Sequence, residues 1–374
     1  MTHDADGAAL LAYLRTHARS YFDGVRSDQL EVELLAAHHH RFSKTYRFRI
    51  TGTNLEQLVL AKVLSVSSAG SVALENDRPR LASVDEWVKI RSRFEYQALR
   101  AASERFRRIG DPCLGAVRPF EYIPEHRAIV MEVIEERTLR QLLWKATRLA
   151  AAVKGMELDN AFRHAGAWLR EFHQLAADGH HATPLREKRG DVLEALTEYA
   201  EFLAARLSAP QFFRDIASTA IAHSESVLPE ILPRGIGHGD FAPRNIFVSP
   251  VGRVTVIDMI GGWRVPIYED LAYFVTELRT AAPQRLTYGL AFSSELLAHY
   301  ENELLAGYFG SEPVPYGAMA FFELLLLLDR WSAVAQKAGG ARPARRRAAK
   351  QAITNRYFVR EASRLVRAIA SAGT

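Results

Sequence analysis

The stretch from Gly237 to Asp258, GHGDFAPRNIFVSPVGRVTVID, gathers residue types that can move a phosphoryl group. Asp240 follows His238 and Gly239, a four-residue spacer leads to Asn245, and a hydrophobic run ends in Asp258. Phosphoryl transfer to a hydroxyl needs one carboxylate that orients the acceptor. It also needs an amide and a second carboxylate that hold a divalent ion against the nucleotide phosphates. The spacing H-x-D-x-x-x-x-N, followed by an Asp at the end of a short strand, meets both needs. The IFV and VTVI runs predict the short strands between Asn245 and Asp258. Without chemistry the same stretch would be a β-hairpin in which His238 caps and Asp240 accepts from loop amides. The joint spacing of Asp240, Asn245 and Asp258 favours the first reading.

A set of elements must present these groups and the nucleotide to each other. From Phe42 the pattern is that of strands: RFSKTYRFRI alternates, TGTNLEQ turns, and LVLAKVLSV is a second strand. Lys62 falls inside that second strand. An ammonium buried without a partner is costly, so Lys62 is either held for a ligand or sits on a solvent face. Residues 84–108 predict a helix with Trp87, Ile90, Phe94, Leu99 and Phe106 on its apolar side. On it Glu95 is the candidate partner of Lys62, and otherwise one solvated carboxylate among several, such as Glu86 and Glu104. Residues 116–122 and 128–134 predict two more strands, four in all, and a five-stranded sheet with one helix is expected before residue 135. Residues 1–36 read as helical through Leu10, Leu11, Tyr13, Leu14, Leu30, Val32 and Leu34. His38, His39 and His40 are no metal site by spacing, because neighbours on a strand point to opposite faces.

Beyond Leu139 helices dominate, over 161–175, 192–207, 212–227 and onward to about Lys337. His164 and His173 read as satisfied or solvated histidines. The apolar run 318–328, AMAFFELLLLL, is too short to span a bilayer and predicts a buried helix. Residues 339–350, GGARPARRRAAK, read as a basic linker before a closing helix over 351–370. With 48% hydrophobic and 24% charged residues in 374, the chain is ordinary globular material of one two-lobed enzyme or two domains. A net charge of +5, from 48 basic and 43 acidic residues, does not point to nucleic acid without a basic stripe beside stacking aromatics. The single Cys113 excludes an internal disulfide framework, and no secretory signal opens the chain, so the cytoplasm is the expected compartment.

At HGDFAPRN the chain resembles the aminoglycoside phosphotransferase and choline kinase-like family, the small-molecule branch of the protein kinase-like fold. The resemblance covers roughly residues 40–335. It implies an α+β, bilobal architecture with a small five-stranded antiparallel N-lobe over 41–134 and a larger, mainly helical C-lobe over 135–338. Residues 1–40 would be a helical extension, and 339–374 a basic linker and C-terminal helix. By the same resemblance Asp240 is the catalytic base, Asn245 and Asp258 are Mg2+ ligands, Lys62 holds the nucleotide phosphates and Glu95 is its partner. The connector after AIVMEVI would meet adenine through the main chain of Glu132 and Ile134. Asp270, in EDLAYF, would brace the catalytic loop, and His238 would support it. The phosphate-covering turn would be FSKTYRF, with Ser43 and main-chain amides in place of glycines. MIGG after Asp258, with no glycine until Gly261, is a second departure. The implied activity is an ATP- or GTP- and Mg2+-dependent transfer to the hydroxyl of an aminoglycoside, aminosugar, sugar or similar alcohol.

The acceptor stays open on sequence grounds. Glu269, Glu277, Glu295, Glu301, Glu303, Glu312, Glu323 and Asp329 would form an acidic wall favouring a cationic acceptor, or would be solvated helix faces. A neutral sugar fits equally well. The alternatives are a nucleotide-binding pseudokinase, or a kinase of a protein or carrier-linked glycan. In the last case the Arg342–Lys350 run, with Arg345, Arg346 and Arg347, would dock a partner or an anionic membrane surface.

Overall fold

The computed structural model describes residues 4–22, 30–40, 43–64, 84–148, 155–175, 183–336 and 344–373. The chain divides into two compact units. The first is Met1–Asp111, Gly115–Glu136 and Thr255–Gly262, and the second is Pro112–Leu114, Arg137–Val254 and Trp263–Thr374. The fold is α+β, as expected.

The first unit opens with helix α1 (Ala5–His17), capped by Asp4, whose side chain accepts from the Asp6 N–H. Strands β1 (Glu31–His39), β2 (Ser43–Gly52) and β3 (Leu55–Leu64) follow, then helix α2 (Val84–Ile109). The short strand β4 (Leu114–Ala116) precedes β5 (Pro119–Ile123) and β6 (Ala128–Glu132). The five-stranded sheet has the order β1-β2-β3-β6-β5, antiparallel throughout. The helical reading of residues 30–36 is corrected here. Leu30, Val32 and Leu34 recur every second residue, the period of a strand, and Val32 pairs with Ile50 while Leu34 pairs with Phe48. That segment supplies the strand that sequence reasoning left uncounted.

Period two also explains where Lys62 points. Val59, Ala61 and Val63 join Leu10, Leu14, Tyr46, Phe48 and Ile50 in one buried cluster under α1. Lys62 alternates with them, so its side chain leaves from the opposite face, toward α2. The turn drawn over FSKTYRF is a second correction. Ser43 begins a continuous strand in which Tyr46 and Phe48 are fully buried, and the chain turns earlier, where the His40 N–H donates to the Ser43 carbonyl at 2.8 Å. Phe42, the side chain of Trp87 and residues 68–81 lie outside the described residues.

The second unit begins with strand β7 (Arg137–Thr138), helix α3 (Leu139–Arg148) and helix α4 (Gly155–His173). Strand β8 (Thr183–Pro184) leads to α5 (Arg189–Arg206), α6 (Pro210–Ala222) and the single turn α7 (Ser224–Val227). Strands β9 (Arg234–Ile236), β10 (Ile246–Val248), β11 (Val254–Val256) and β12 (Trp263–Pro266) follow, with the HGD stretch between β9 and β10. Helices α8 (Ile267–Arg279), α9 (Ala282–Leu286), α10 (Ser294–Phe309), α11 (Tyr316–Gln336) and α12 (Ala344–Ala372) complete it.

Helix α11 is the buried centre of this unit, with Phe321, Phe322, Leu324, Leu325 and Leu328 fully inside and α5, α8 and α12 packed on it. No described helix is long and apolar enough to cross a membrane. Helices α4 and α10 approach until backbones touch. A Cβ on Gly166 would stand 1.9 Å from the Leu304 carbonyl oxygen, and one on Gly307 1.8 Å from that of Arg163. Only glycine fits either position. Helix α12 starts at Ala344, so the second half of the stretch read as a basic linker is helical. Residues 339–343 and the side chains of Arg345, Arg346 and Arg347 lie outside the described residues.

Candidate active site

Strand β9 ends at Ile236, the Gly237 N–H donates to the Trp263 carbonyl at 2.8 Å, and the chain then loops from His238 to Asn245 before β10. The loop is anchored from below by Asp270 on α8. Its Oδ2 accepts the His238 N–H at 2.6 Å and its Oδ1 the Gly239 N–H at 2.9 Å. His173 Nε2 lies 3.1 Å from the same carboxylate, and Nδ1 lies 2.7 Å from the Tyr308 hydroxyl. A carboxylate can only accept, so Nε2 carries a proton there. Burial alone would raise the Asp270 pKa, but the bond to His173 and the His238 N–H outweigh it and hold the carboxyl below its ordinary value. His238 is fully buried among Trp168, Phe172 and Phe241, and its Nδ1 accepts the Asp240 N–H at 3.2 Å. His164, by contrast, meets the Gly252 carbonyl through Nδ1 at 2.9 Å.

Asp240 is the focus of a second set of donors. Its Oδ1 accepts from the Arg244 guanidinium and from the Tyr273 hydroxyl, the latter at 2.9 Å. Its Oδ2 accepts from Asn245 Nδ2 at 2.8 Å, and that nitrogen also donates to the Asp240 carbonyl at 2.9 Å. The Asn245 amide is therefore fixed, with its Oδ1 left as an oxygen ligand for a hard cation. Arg244 also donates to Glu277 at 2.8 Å, and Glu277 is held by Arg330. Burial, with the Asp240 charge adding to it, pushes the Tyr273 hydroxyl up to about 12, so it remains a neutral donor. The Asp240 side chain keeps 29% exposure, enough for a solvent-borne hydroxyl to reach it.

In the first unit Lys62 Nζ lies 2.5 Å from Glu95 Oε1 and 2.7 Å from Asp258 Oδ1. Burial opposes the ammonium charge, but Asp258 and Glu95 more than offset it and raise the Lys62 pKa. One cation shared by two carboxylates leaves a surplus negative charge, and Asp258 is the more exposed of the two at 38% against 4%. That arrangement suits a divalent cation bound through one carboxylate oxygen and ligand phosphates. Asp258 has φ 63°, in the left-handed region that non-glycine residues seldom adopt. Such strain persists where surrounding structure holds it, and it aims this carboxylate. Gly261 explains the late glycine in MIGG: at φ 65°, its Cβ would meet that of Ala98 at 2.2 Å, so the chain passes directly against α2.

The other expected positions are less engaged. Ser43 is the first residue of β2, opposite Leu64, with no side-chain hydrogen bond among the described residues. Glu132 donates its N–H to the Arg118 carbonyl at 3.0 Å and accepts the Arg118 N–H on Oε1 at 2.7 Å. Its main-chain donor is therefore occupied within the sheet. Arg244, Tyr273, Glu277, Arg330 and Tyr308 were missed. Only Arg244 carried a signal, its four-residue spacing from Asp240; the rest depend on how α8, α10 and α11 pack. Among the described residues no cluster of three or more His, Cys, Asp or Glu could hold a metal by itself.

The acidic wall is not one. Glu269 pairs with Arg186, Glu277 with Arg244 and Arg330, Glu301 with Arg279, Glu303 with Arg163, and Glu323 with Arg364. Neutralised carboxylates exert little long-range pull, so this feature gives no support to a cationic acceptor.

The family model of the phosphotransferase enzyme family matches residues 70–310. A search of curated proteins found no match. Among solved structures, a Ralstonia eutropha JMP134 protein assigned as an aminoglycoside phosphotransferase is 13% identical. It covers 96% of this chain and 98% of its own, with a TM-score of 0.53. The amicoumacin kinase hAmiN, solved with AMP-PNP, Ca2+ and Ami, is 12% identical over 94% of this chain and 93% of its own, with a TM-score of 0.50. Identities this low show the fold alone. Because the family model spans well over half of the sequence, the chain belongs to the phosphotransferase enzyme family.

Proposed function

We propose that this phosphotransferase moves the γ-phosphoryl group of ATP to a hydroxyl of a small molecule, with a divalent cation as cofactor. The observation that carries the reading is Asp240: a partly exposed carboxylate held in place by Arg244, Tyr273 and Asn245 on a loop pinned by Asp270. Asp240 orients the acceptor hydroxyl. The acceptor oxygen forms a bond to the γ-phosphorus, the bond from that phosphorus to the β–γ bridging oxygen breaks, and ADP leaves. The hydroxyl proton passes to the Asp240 carboxylate and on to water. Lys62, kept charged and aimed by Glu95, meets the nucleotide phosphates. Asn245 and Asp258 would each supply an oxygen ligand for Mg2+, and the bound ion would neutralise the phosphate charge that develops.

Asp240→Asn should lower turnover by roughly two to four orders of magnitude, the usual scale for a positioned base, with nucleotide affinity retained. Near-normal turnover would remove Asp240 from the reaction. Asp258→Ala should abolish magnesium-dependent nucleotide binding in calorimetry, and unchanged Mg·ATP affinity would contradict the ligand role.

A further inference from the structure

Strand β7 and helix α3 carry a cavity of about 550 Å3 whose described lining is Arg137, Arg140, Gln141, Trp144 and Lys145. Arg140, Gln141, Trp144 and Lys145 recur at helical spacing on one face of α3, while Leu139 and Leu143 are buried on the other. The start of the helix is closed by a reciprocal cap. Gln141 Oε1 accepts the Thr138 N–H at 2.9 Å, and Thr138 Oγ1 accepts the Gln141 N–H at 3.3 Å. The cap occupies the Gln141 side-chain oxygen, so this residue offers its amide NH2 to the cavity. With two guanidinium groups and one ammonium beside it, the charged and amide groups lining the cavity are hydrogen-bond donors.

These cations also differ from six arginines elsewhere in the second unit. Across the second unit Arg163, Arg186, Arg234, Arg244, Arg279 and Arg364 each have a carboxylate partner. Among the described residues Arg137, Arg140 and Lys145 form no ion pair. The cavity wall is joined to the catalytic loop at two points. Arg137 and Thr138 pair with Val248 and Phe247 on β10, and the Arg140 N–H donates at 2.9 Å to the carbonyl of Pro243, three residues after Asp240.

We propose that this cavity anchors a phosphate group of the acceptor, so that the molecule phosphorylated at Asp240 already carries a phosphate ester. The inference rests on the phosphotransferase reading above and names its substrate class. Arginine forks and an ammonium match phosphate oxygens, and donors alone suit an acceptor-rich anion.

The test uses the full chain and two readouts. In calorimetry without nucleotide, glucose 6-phosphate and inorganic phosphate should bind the wild type, and glucose should not. Arg140→Ala with Lys145→Ala should weaken binding by roughly 10- to 100-fold, the scale of lost charge-assisted hydrogen bonds. Asp240→Asn should bind them as the wild type does, which separates the cavity from the chemistry. Phosphatidylcholine vesicles with and without phosphatidic acid distinguish the source. Binding to the acidic vesicles alone, lost in the same double variant, assigns the phosphate to a lipid-linked acceptor. In the transfer assay a phosphate ester should be preferred over glucose and glucosamine, with the double variant raising its KM more than it lowers kcat. No binding of any phosphate probe, or binding indifferent to the double variant, overturns the proposal. So does transfer that prefers glucose or glucosamine and ignores the two substitutions. Phosphate binding at the cavity without any Asp240-dependent transfer would keep the site and contradict the proposed function instead.

Discussion

Asp270 shows how much of the site depends on one buried carboxylate. It receives two main-chain N–H groups and His173, and its pKa is held below the ordinary 3.8. A carboxyl depressed on folding adds stability above its unfolded pKa, and that stability is lost as pH falls through the lower folded value. Acid unfolding should therefore set in below about pH 4, and Asp270→Ala should remove this part of the pH dependence. The same variant should cost about 3 kcal/mol, because a buried pair loses one partner and two amides are left unpaired. Urea denaturation across pH 3–7 reads both, and faster hydrogen exchange at His238 and Gly239 would locate the effect. The chemistry of Asp240, Asn245 and Asp258 was legible at this scale because it resides in spacing along one short stretch. The pairing of Lys62 with Glu95 was legible as a candidate from one lysine in an apolar strand and one carboxylate on the next helix. Tyr273, Glu277 and Arg330 were not, since nothing in sequence tells which side of α8 or α11 meets the loop.

At the scale of elements, close approach decides more than propensity. Alanine normally stabilises a helix interior over glycine by about 1 kcal/mol. At Gly166 the sign should reverse, because the added Cβ meets backbone atoms of α10 rather than a movable side chain. Gly166→Ala is expected to lower Tm, and an unchanged or raised Tm would show that α4 and α10 can separate without cost. Gly261→Ala combines a positive φ with the contact to Ala98, and should weaken Mg·ATP binding by displacing the segment that carries Asp258. The helical misreading of 30–36 has a local cause. That segment lies in the edge strand β1, which buries only Val32 of its nine residues.

For the whole molecule, charge is arranged by pairing. Five of the eight acidic residues that looked like a field in sequence sit against arginines in the structure, a difference that only tertiary contacts decide. One carboxylate is crowded. Burial, and then Glu301, push Glu323 up to about 8 despite Arg364 and Arg279. A group whose pKa rises on folding contributes most at low pH and loses that contribution as pH climbs from its unfolded value toward 8. Stability should thus decline between about pH 5 and 8, and Glu323→Gln should flatten that decline in thermal melts.

The central claim is phosphoryl transfer through Asp240, and acceptor-dependent ADP release from Mg·ATP tests it most directly. The panel would hold aminoglycosides, aminosugars, neutral sugars, choline-like alcohols and sugar phosphates, with Asp240→Asn as the blank. The account predicts release with at least one acceptor, greatest for a phosphate ester and lost in the blank. Release that persists undiminished in Asp240→Asn, or its absence from every acceptor in a protein that binds Mg·ATP, would contradict it.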